Sequence, residues 1–282
     1  MAAIKDTGNL LVAALDKHDS VGIIDNYFPE ADFFTEFERF DRHLEKLKRQ
    51  GKGIDYLVVC SPNYLHDAHI RFGLRLGADV ICEKPVVLNP WNVDALMEME
   101  KETGKKVFTI LQMRLHPSIV ALHEKVKNAE PGKKFDVELK YITPRGNWYH
   151  ISWKGDNQKS GGISTNIGVH FFDILLWLFG GVKENLVSTH SDTTACGSLQ
   201  LEYANVNWFL SIDKGQLPGE LREPRKPGHR YMKIDEDELD FSELDGGLHI
   251  KSYREILNNN GFTLQEVKPL TKLLYEIRNF NK

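Results

Sequence analysis

The stretch ADVICEKP, residues 78–85, decides how the rest of the chain is interpreted. Residues 78–82 form a short apolar run with two β-branched side chains, which predicts a buried strand. Glu83 and Lys84 stand at the carboxyl end of this strand, and Pro85 favours an extended conformation for Lys84. Ligands bind at that edge of open α/β sheets, so the two charges are candidate site residues. The alternative is a solvated ion pair.

Apolar strands alternate with helices on both sides of this stretch. The predicted strands are residues 10–15, 32–35, 56–60, 78–82 and 107–113. The predicted helices are residues 1–6, 20–28, 36–50, 64–76 and 91–103. This spacing is typical of α/β proteins and predicts a Rossmann-like, doubly wound parallel sheet over residues 1–116.

From residue 117 onward the pattern changes to long alternating or aromatic-rich stretches. Strands are predicted at residues 135–143, 186–192, 198–203 and 206–212, and helices at 117–127, 168–179, 252–258 and 270–278. The pattern predicts an α+β domain over residues 117–282, with a mainly antiparallel open sheet. Residues 216–230 are rich in Pro, Gly and Arg and predict a loop, and residues 235–245 are acidic.

The composition is that of a soluble globular protein with room for two domains: 282 residues, 41% of them hydrophobic and 27% charged. The net charge of -4 indicates neither a nucleic-acid partner nor an anionic membrane surface. Cys60, Cys82 and Cys196 are widely spaced, which predicts no disulfide framework and no metal site and fits a cytoplasmic location. No apolar run reaches transmembrane length, and no signal-peptide core is present.

Polar side chains follow three of the predicted strands. Asp16 ends the first strand, where a carboxylate can bond the ribose hydroxyls of NAD and repel the 2′-phosphate of NADP; a helix cap is the alternative. Ser61 and Asn63, with His66, follow the strand at 56–60 and offer hydroxyl, amide and imidazole groups to a ligand. Alternatively, or at the same time, Ser61 or Asn63 can cap the helix that follows.

The stretch GGISTNIGVHFFD, residues 161–173, is a second candidate constellation. Helical spacing places Asn166 and His170 on one face with Asp173 one turn further, so amide, imidazole and carboxylate can line up. The paired glycines permit close approach of the backbone. Because the helix is strongly apolar, a satisfied core histidine is the alternative for His170.

The segment TPRGNWYHISWK, residues 143–154, concentrates aromatic and polar side chains after a strand. This mixture suits stacking on a nucleobase or sugar, and Arg145 can fork a carboxylate or phosphate. The alternative for Trp148 and Trp153 is packing against the sheet.

Taken together these motifs resemble the Gfo/Idh/MocA family of NAD(P)-dependent sugar oxidoreductases over nearly the whole chain. The blocks DYLVVCSPNYLH, CEKP, QMRLHP, RGNWYHISWKG and GGISTNIGVHFFD are most similar to one branch, the bacterial UDP-N-acetyl-2-amino-2-deoxyglucuronate dehydrogenases. The resemblance implies NAD as cofactor and oxidation of the 3-hydroxyl of UDP-N-acetylglucosaminuronic acid, for O-antigen nucleotide sugars. It also implies 2-oxoglutarate as the acceptor that regenerates NAD, and a homotetramer assembled through open sheet faces.

The resemblance also implies roles for individual residues. Lys84 and His170 match the catalytic pair; His170 is favoured as the base and Lys84 as orienter and proton relay, with the reverse assignment open. Cofactor contacts are implied for Asp16, Ser61, Asn63, His66, Glu83, Lys84, Gln112 and Trp153. Substrate contacts are implied for Lys84, Arg145, Asn147, Tyr149, Thr165, Asn166 and His170.

The chain departs from the family pattern at two places. Asn166 stands where many relatives carry Asp, which predicts a site without the carboxylate of a catalytic triad. No strand and Gly-rich turn precede residues 10–15, so we expect the phosphate cradle to be missing. Two alternatives therefore stand beside the enzyme: a catalytically silent homologue that keeps sugar-binding or oligomerising surfaces, and a dehydrogenase of another sugar or polyol.

Overall fold

The first half of the chain alternates strands and helices in the computed structural model, which describes residues 1–18, 21–219, 228–240 and 247–280. The strands are β1 (Ala13–Leu15), β2 (Asp32–Phe34), β3 (Tyr56–Val59), β4 (Asp79–Cys82) and β5 (Val107–Thr109). The helices are α1 (Ala2–Asp6), α2 (Ile23–Tyr27), α3 (Phe37–Arg49), α4 (His66–Leu76), α5 (Pro90–Thr103) and α6 (Pro117–Lys127). Each predicted element of this half is present, with bounds shifted by a few residues.

The parallel strands of this half form two sheets. β3, β4 and β5 are parallel neighbours, and Cys82 pairs with both Val59 and Thr109. β1 pairs with β2 in parallel as a separate two-stranded sheet. The predicted Rossmann-like α/β fold is confirmed, and the pairing adds that, among the described residues, no hydrogen bond joins β1 to β3.

The other half of the chain contains a six-stranded sheet, called the second sheet below, and the sheet of β3, β4 and β5 is called the first sheet. The strands of the second sheet are β6 (Phe135–Ile142), β7 (Val182–His190), β8 (Thr194–Leu201), β9 (Ala204–Ser211), β10 (His229–Ile234) and β11 (Asp237–Asp240). The spatial order is β11-β10-β6-β9-β8-β7, antiparallel throughout except for the parallel pair β6 and β9. The helices between its strands are α7 (Asn147–Ile151), α8 (Asn157–Ser160), α9 (Gly162–Asn166) and α10 (Val169–Phe179). The predicted mainly antiparallel sheet is confirmed.

One prediction in this half needs correction. The loop predicted at residues 216–230 is wrong at its end, because β10 begins at His229; residues 220–227 lie outside the described part of the chain. The acidic stretch at 235–245, for which the sequence indicated no element, contains β11, and its residues 241–245 lie outside the described part. These strands were missed because they form the polar edge of the sheet, where β10 buries only Met232 and Ile234.

The end of the chain returns to the first sheet. It comprises α11 (Leu248–Leu257), β12 (Phe262–Thr263) and α12 (Leu264–Arg278). β12 pairs antiparallel with β5, while α12 packs against α5 on one side and α10 on the other. Lys268 lies 2.6 Å from the Asp94 carboxylate on α5. The domain boundary between residues 116 and 117 stays a prediction. The structure adds that the end of the chain crosses back to the sheet of the first domain.

Helix α10 lies in the centre of the core. Phe172 and Phe179 are fully buried, and one continuous apolar cluster extends from Val59 in the first sheet to Leu210 in the second. No single described helix is long and apolar enough to span a membrane; 157–166 together with α10 meets the length and composition only as a pair bent by 49°. The continuous core holds the carboxyl ends of β3 and β4 against α9 and α10.

Candidate active site

A cavity of about 490 Å³ lies between the carboxyl ends of β3 and β4 and the α7–α9 segment. It is lined by Cys60, Ser61, Asn63, His66, Glu83, Lys84, Arg145, Trp148, Tyr149, Trp153, Lys154, Asn166 and Ile167. Nine of these were predicted as site residues from the sequence, in four separate stretches. The fold therefore brings predicted cofactor residues and predicted substrate residues to one place.

His66 connects the ends of β3 and β4. Its Nδ1 lies 2.7 Å from the carbonyl oxygen of Pro85 and its Nε2 lies 2.8 Å from that of Ser61, and the residue is 1% exposed. Burial lowers the pKa of His66, and the two carbonyl oxygens partly oppose this shift. Its ring nitrogens are thus engaged with the backbone, so His66 fixes the spacing of the two strand ends.

Ser61 and Asn63 bond to neighbours other than the helix end that follows them. Ser61 Oγ lies 2.9 Å from His69 Nδ1, and Asn63 Nδ2 donates to the carbonyl of Ser160 at 2.8 Å. No side chain caps the 3-10 turn at Asn63–Leu65 or the start of α4, so the capping role considered for these residues is absent there. Asn63 instead joins the first domain to α8.

Lys84 lies in the cavity at the junction of the two domains. Its Nζ is 3.4 Å from the carbonyl oxygen of Asn166. Burial lowers the pKa of Lys84, Glu83 opposes this, and the nearby cations Lys154 and Arg145 add to the lowering. A lysine with a lowered pKa in a cavity can take part in proton transfer.

The glycine pair before α9 brings that helix close to the first domain. Gly161 has a φ of 82°, and a Cβ there would lie 2.8 Å from Leu88 Cδ2. Any larger residue would push α9 away from the segment that follows Lys84. Asn166, at the end of α9, then donates from Nδ2 to the Tyr149 hydroxyl at 3.0 Å.

His170 lies on α10, within the electrostatic influence of Lys84, and does not line the cavity. Its Nδ1 is buried and has no hydrogen-bond partner among the described residues. Burial, followed by the charges of Lys84, His249 and Arg230, holds the pKa of His170 well below its ordinary value. An uncharged imidazole with an unsatisfied nitrogen is able to accept a proton.

Asp173 does not join the line of polar groups that helical spacing allowed. Its carboxylate accepts two bonds from Arg114, one of 2.9 Å from Nε and one of 2.5 Å from Nη2, and Arg114 is 5% exposed. Arg114 belongs to the QMRLHP block, and its link to Asp173 could not be found from spacing. The acid is part of a buried ion pair.

The α7 segment forms the outer wall of the cavity. Trp148 is 54% exposed, which rules out the packing role considered for it, and Lys154 Nζ lies 5.4 Å from its ring centroid and 5.9 Å from that of Trp153. Trp148 belongs to the aromatic segment that the sequence indicated for stacking on a ligand, whereas Lys154, Cys60 and Ile167 are lining residues that the sequence reasoning did not single out. An aromatic surface beside two cations, Arg145 and Lys154, suits an anionic ligand with a flat ring.

Five predicted site residues lie outside the cavity lining and remain predictions: Asp16, Gln112, Asn147, Thr165 and His170. Asp16 follows β1, and its carboxylate accepts from the His18 backbone N–H at 2.9 Å. Gln112 and Thr165 each have a buried side-chain oxygen without a hydrogen-bond partner among the described residues. Within the same residues no group of three or more His, Cys, Asp and Glu side chains could hold a metal ion.

The arrangement fits a dinucleotide. The cavity opens at the carboxyl ends of parallel strands, where such cofactors bind in doubly wound folds. Ser61, Glu83 and Lys84 offer hydroxyl, carboxylate and amine groups there, and the unpartnered oxygen of Gln112 follows the next strand, β5. These residues are the ones able to hold a nicotinamide cofactor.

Two parts of the chain match models of known protein families. Residues 3–111 match "Oxidoreductase family, NAD-binding Rossmann fold", and residues 124–212 match "Oxidoreductase family, C-terminal alpha/beta domain". Among curated proteins, the oxidoreductase YteT of Bacillus subtilis is 28% identical over 73% of this chain, and the D-glucoside 3-dehydrogenase of Escherichia coli 27% identical over 49%. The matches cover 46% and 39% of those proteins, so this chain spans less than half of their length.

Two solved structures of the WlbA (WbpB) dehydrogenase from Thermus thermophilus are more similar. One, in complex with NAD and alpha-ketoglutarate, is 46% identical with a TM-score of 0.95, over 98% of this chain and 89% of that one. The other, in complex with NAD and UDP-GlcNAcA, is 46% identical with a TM-score of 0.94 over the same shares.

Proposed function

The chain belongs to the Gfo/Idh/MocA family of oxidoreductases, and from that premise we propose that it is an NAD-dependent dehydrogenase of a nucleotide sugar. The specific reaction proposed is oxidation of the 3-hydroxyl of UDP-N-acetylglucosaminuronic acid to the 3-keto sugar. The observation that carries the proposal is the shared cavity, in which Lys84 stands between the Ser61 segment and the Arg145 segment. A nicotinamide and a sugar must meet at such a junction.

Residues that follow three strands would hold the cofactor. Ser61, Asn63 and Glu83 follow β3 and β4, Gln112 follows β5, and Trp153 faces them from the opposite wall. When bound, NAD supplies the oxidised nicotinamide ring that accepts hydride from the sugar carbon. His66 stabilises this region, because its ring holds the ends of β3 and β4 at a fixed spacing.

His170 and Lys84 divide the acid–base work in this proposal. Lys84 lines the cavity, and its neutral amine would accept a hydrogen bond, and then the proton, from the reacting hydroxyl. His170 is uncharged because burial holds its pKa well below the ordinary value, so it can take the hydroxyl proton passed along Lys84. The lowered pKa of Lys84 makes the transfer of that proton easier.

The charge of the cavity favours an anionic substrate over a free polyol. Arg145, Lys154 and Lys84 place three cationic side chains in the lining against one carboxylate, Glu83. The diphosphate and carboxylate of a UDP-uronic acid complement this excess, and Trp148 offers an exposed ring for the base. An inositol or neutral glucoside would leave the cations without partners.

Three further parts of the proposal concern partners and location. A dicarboxylate such as 2-oxoglutarate, as second substrate, would regenerate NAD in the same cationic cavity. A homotetramer would form through the second sheet, near which Leu186 and Tyr203 are exposed. Use of the product in O-antigen synthesis, in the cytoplasm, agrees with the three free cysteines Cys60, Cys82 and Cys196.

The test is to measure the nucleotide released from the purified chain and the NADH formed with UDP-N-acetylglucosaminuronic acid. We expect released NAD(H) and turnover that falls when UDP-N-acetylglucosamine, which lacks the carboxylate, replaces the uronate. Myo-inositol serves as the polyol control. Saturable binding of the UDP-uronate without any turnover, with or without added NAD and 2-oxoglutarate, would identify a silent homologue instead.

A further inference from the structure

A histidine from the end of the chain reaches the glutamate of the EKP motif. His249, in the first turn of α11, places Nε2 at 3.5 Å from Oε1 of Glu83. The His249 side chain is 49% exposed and that of Glu83 is 30% exposed. The two residues are far apart in sequence, and nothing in the pattern around residue 249 indicated a role at the cavity.

Helix α11 is held in place by contacts of its own. Lys251 Nζ donates to the carbonyl oxygen of Leu115 at 2.9 Å, which fixes the first turn of the helix against the 3-10 turn at Gln112–Leu115. Tyr253, one turn beyond His249, packs against the apolar cluster that contains Ile81 of β4 and Phe108 of β5. Burial and the nearby Cys60 and Glu83 raise its pKa. α11 therefore presents one face, with His249 and Tyr253 four residues apart, to the ends of β3 and β4.

The contact changes the charge balance at Glu83. Burial raises the pKa of Glu83, but the hydrogen bond and charge of His249, together with Lys84, lower it more, so the net shift is downward. The other titratable groups facing this pair are Cys60, His66, Tyr253 and His170, and Arg230 faces His170. Among these groups His249 is the residue whose side chain is bonded to the carboxylate.

We propose that His249 is a positioning residue of this site, which holds the Glu83 carboxylate in place beside Lys84. The inference rests on the proposed dehydrogenase function for its catalytic consequence. The role of His249 is indirect: it does not line the cavity, and it acts on Lys84 through the carboxylate. Glu83 in turn raises the pKa of Lys84 against burial, so loss of His249 alters the group that meets the substrate.

A double-mutant cycle tests whether His249 acts through Glu83. We expect His249→Asn to lower kcat about tenfold and to shift the pH profile of kcat, and to change kcat less than about twofold in a Glu83→Gln background. Arg254→Met is the matched control, because it removes an exposed cation from the same helix and leaves the contacts that hold the first turn of α11 in place; we expect kcat within about twofold of the parent. An equal loss in both backgrounds, or an equal loss in Arg254→Met, overturns the proposal.

A second measurement does not depend on turnover. The titration of Glu83 is followed by NMR in protein labelled with 13C-glutamate, with the Glu83 signal assigned by its absence in Glu83→Gln. We expect its pKa below the usual glutamate range in the parent and higher in His249→Asn. An unchanged titration overturns the inference, whatever the substrate is. A changed titration in a chain that does not oxidise nucleotide sugars retains the His249–Glu83 link and rejects the proposed function alone.

Discussion

His170 and Asp173 lie one turn apart on the same buried helix, α10, and have opposite surroundings. Asp173 is bonded through both carboxylate oxygens to Arg114, whose guanidinium also lies 4.9 Å from the Phe262 ring centroid. His170 Nδ1 has no hydrogen-bond partner among the described residues and faces the charges of Lys84 and Arg230. Buried polar groups are ordinarily paired, so the unpaired one needs an explanation.

The difference separates a structural group from a reactive one. The Arg114–Asp173 pair joins the 3-10 turn after β5 to α10, and therefore holds the two domains together. An unpaired imidazole adds no such link, and its desolvation has a cost in stability. A residue kept at that cost beside a cavity lysine is a candidate for chemistry.

We expect the largest effect from substitution of the reactive groups, His170 and Lys84. We expect His170→Asn, and separately Lys84→Met, to lower kcat by about 10²- to 10⁴-fold, because each removes a partner of proton transfer. Thermal unfolding checks that both variants remain folded. His123→Asn is the control, since His123 stacks on Trp177 away from the cavity and should leave kcat unchanged. A loss of less than tenfold in both site variants would contradict the assigned roles.

We expect the next largest effect from breaking the structural ion pair of Arg114 and Asp173. Arg114→Met leaves the Asp173 carboxylate buried without its partner, so we expect a loss of about 3–5 kcal/mol in the free energy of unfolding, measured by urea denaturation. The double variant Arg114→Met with Asp173→Leu removes both charges and should regain most of the loss. If the single and double variants are equally unstable, the pair is not what stabilises this junction.

A smaller effect concerns the cationic wall. Arg145→Gln removes one charge from the lining, so we expect KM for the UDP-uronate to rise about 10- to 100-fold with kcat changed little. If Arg145 binds the sugar carboxylate, the rise should be smaller for UDP-N-acetylglucosamine. A fall in kcat at constant KM would instead place Arg145 in the chemical step.

The smallest effect is a dependence of stability on pH. The folded chain keeps His170 uncharged, whereas the unfolded chain protonates it near its ordinary value of 6.5, so the unfolded state binds more protons as the pH falls below 6.5. Stability should therefore decrease toward acid by about 1.4 kcal/mol per pH unit from this group. Urea denaturation at several pH values should give a shallower slope for His170→Asn; an identical slope would contradict burial of the neutral ring.

Local patterns were enough for much of the fold. The runs at 56–60 and 78–82 are apolar and bounded by turn residues, and both are strands, β3 and β4. The polar edge strands were missed, because their pairing, β10 with β6 and β11 with β10, depends on neighbouring strands and is not indicated by their own sequence. In the same way the alternation of residues 135–143 predicted strand β6, but it did not predict that β6 pairs in parallel with β9.

For the candidate site, too, the sequence indicated the residues but not their hydrogen-bond partners. Residue types and short motifs marked Lys84, Asn63 and Asn166, but each has its bond with a distant segment: 82 positions separate Lys84 from Asn166, and 97 separate Asn63 from Ser160. Sequence spacing indicates which face of an element is apolar. It does not state which side chain from elsewhere will meet a polar group on that face.

The sequence by itself determined the order of most strands and helices, the family resemblance and the chemical groups at the strand ends, because these depend on neighbours within a turn or a strand. The tertiary structure alone decided how those groups are paired. It paired Asp173 with Arg114, brought His249 to Glu83 and left His170 Nδ1 without a hydrogen-bond partner among the described residues. Hydrogen bonds and burial depend on distances between segments, which the packing of the core sets.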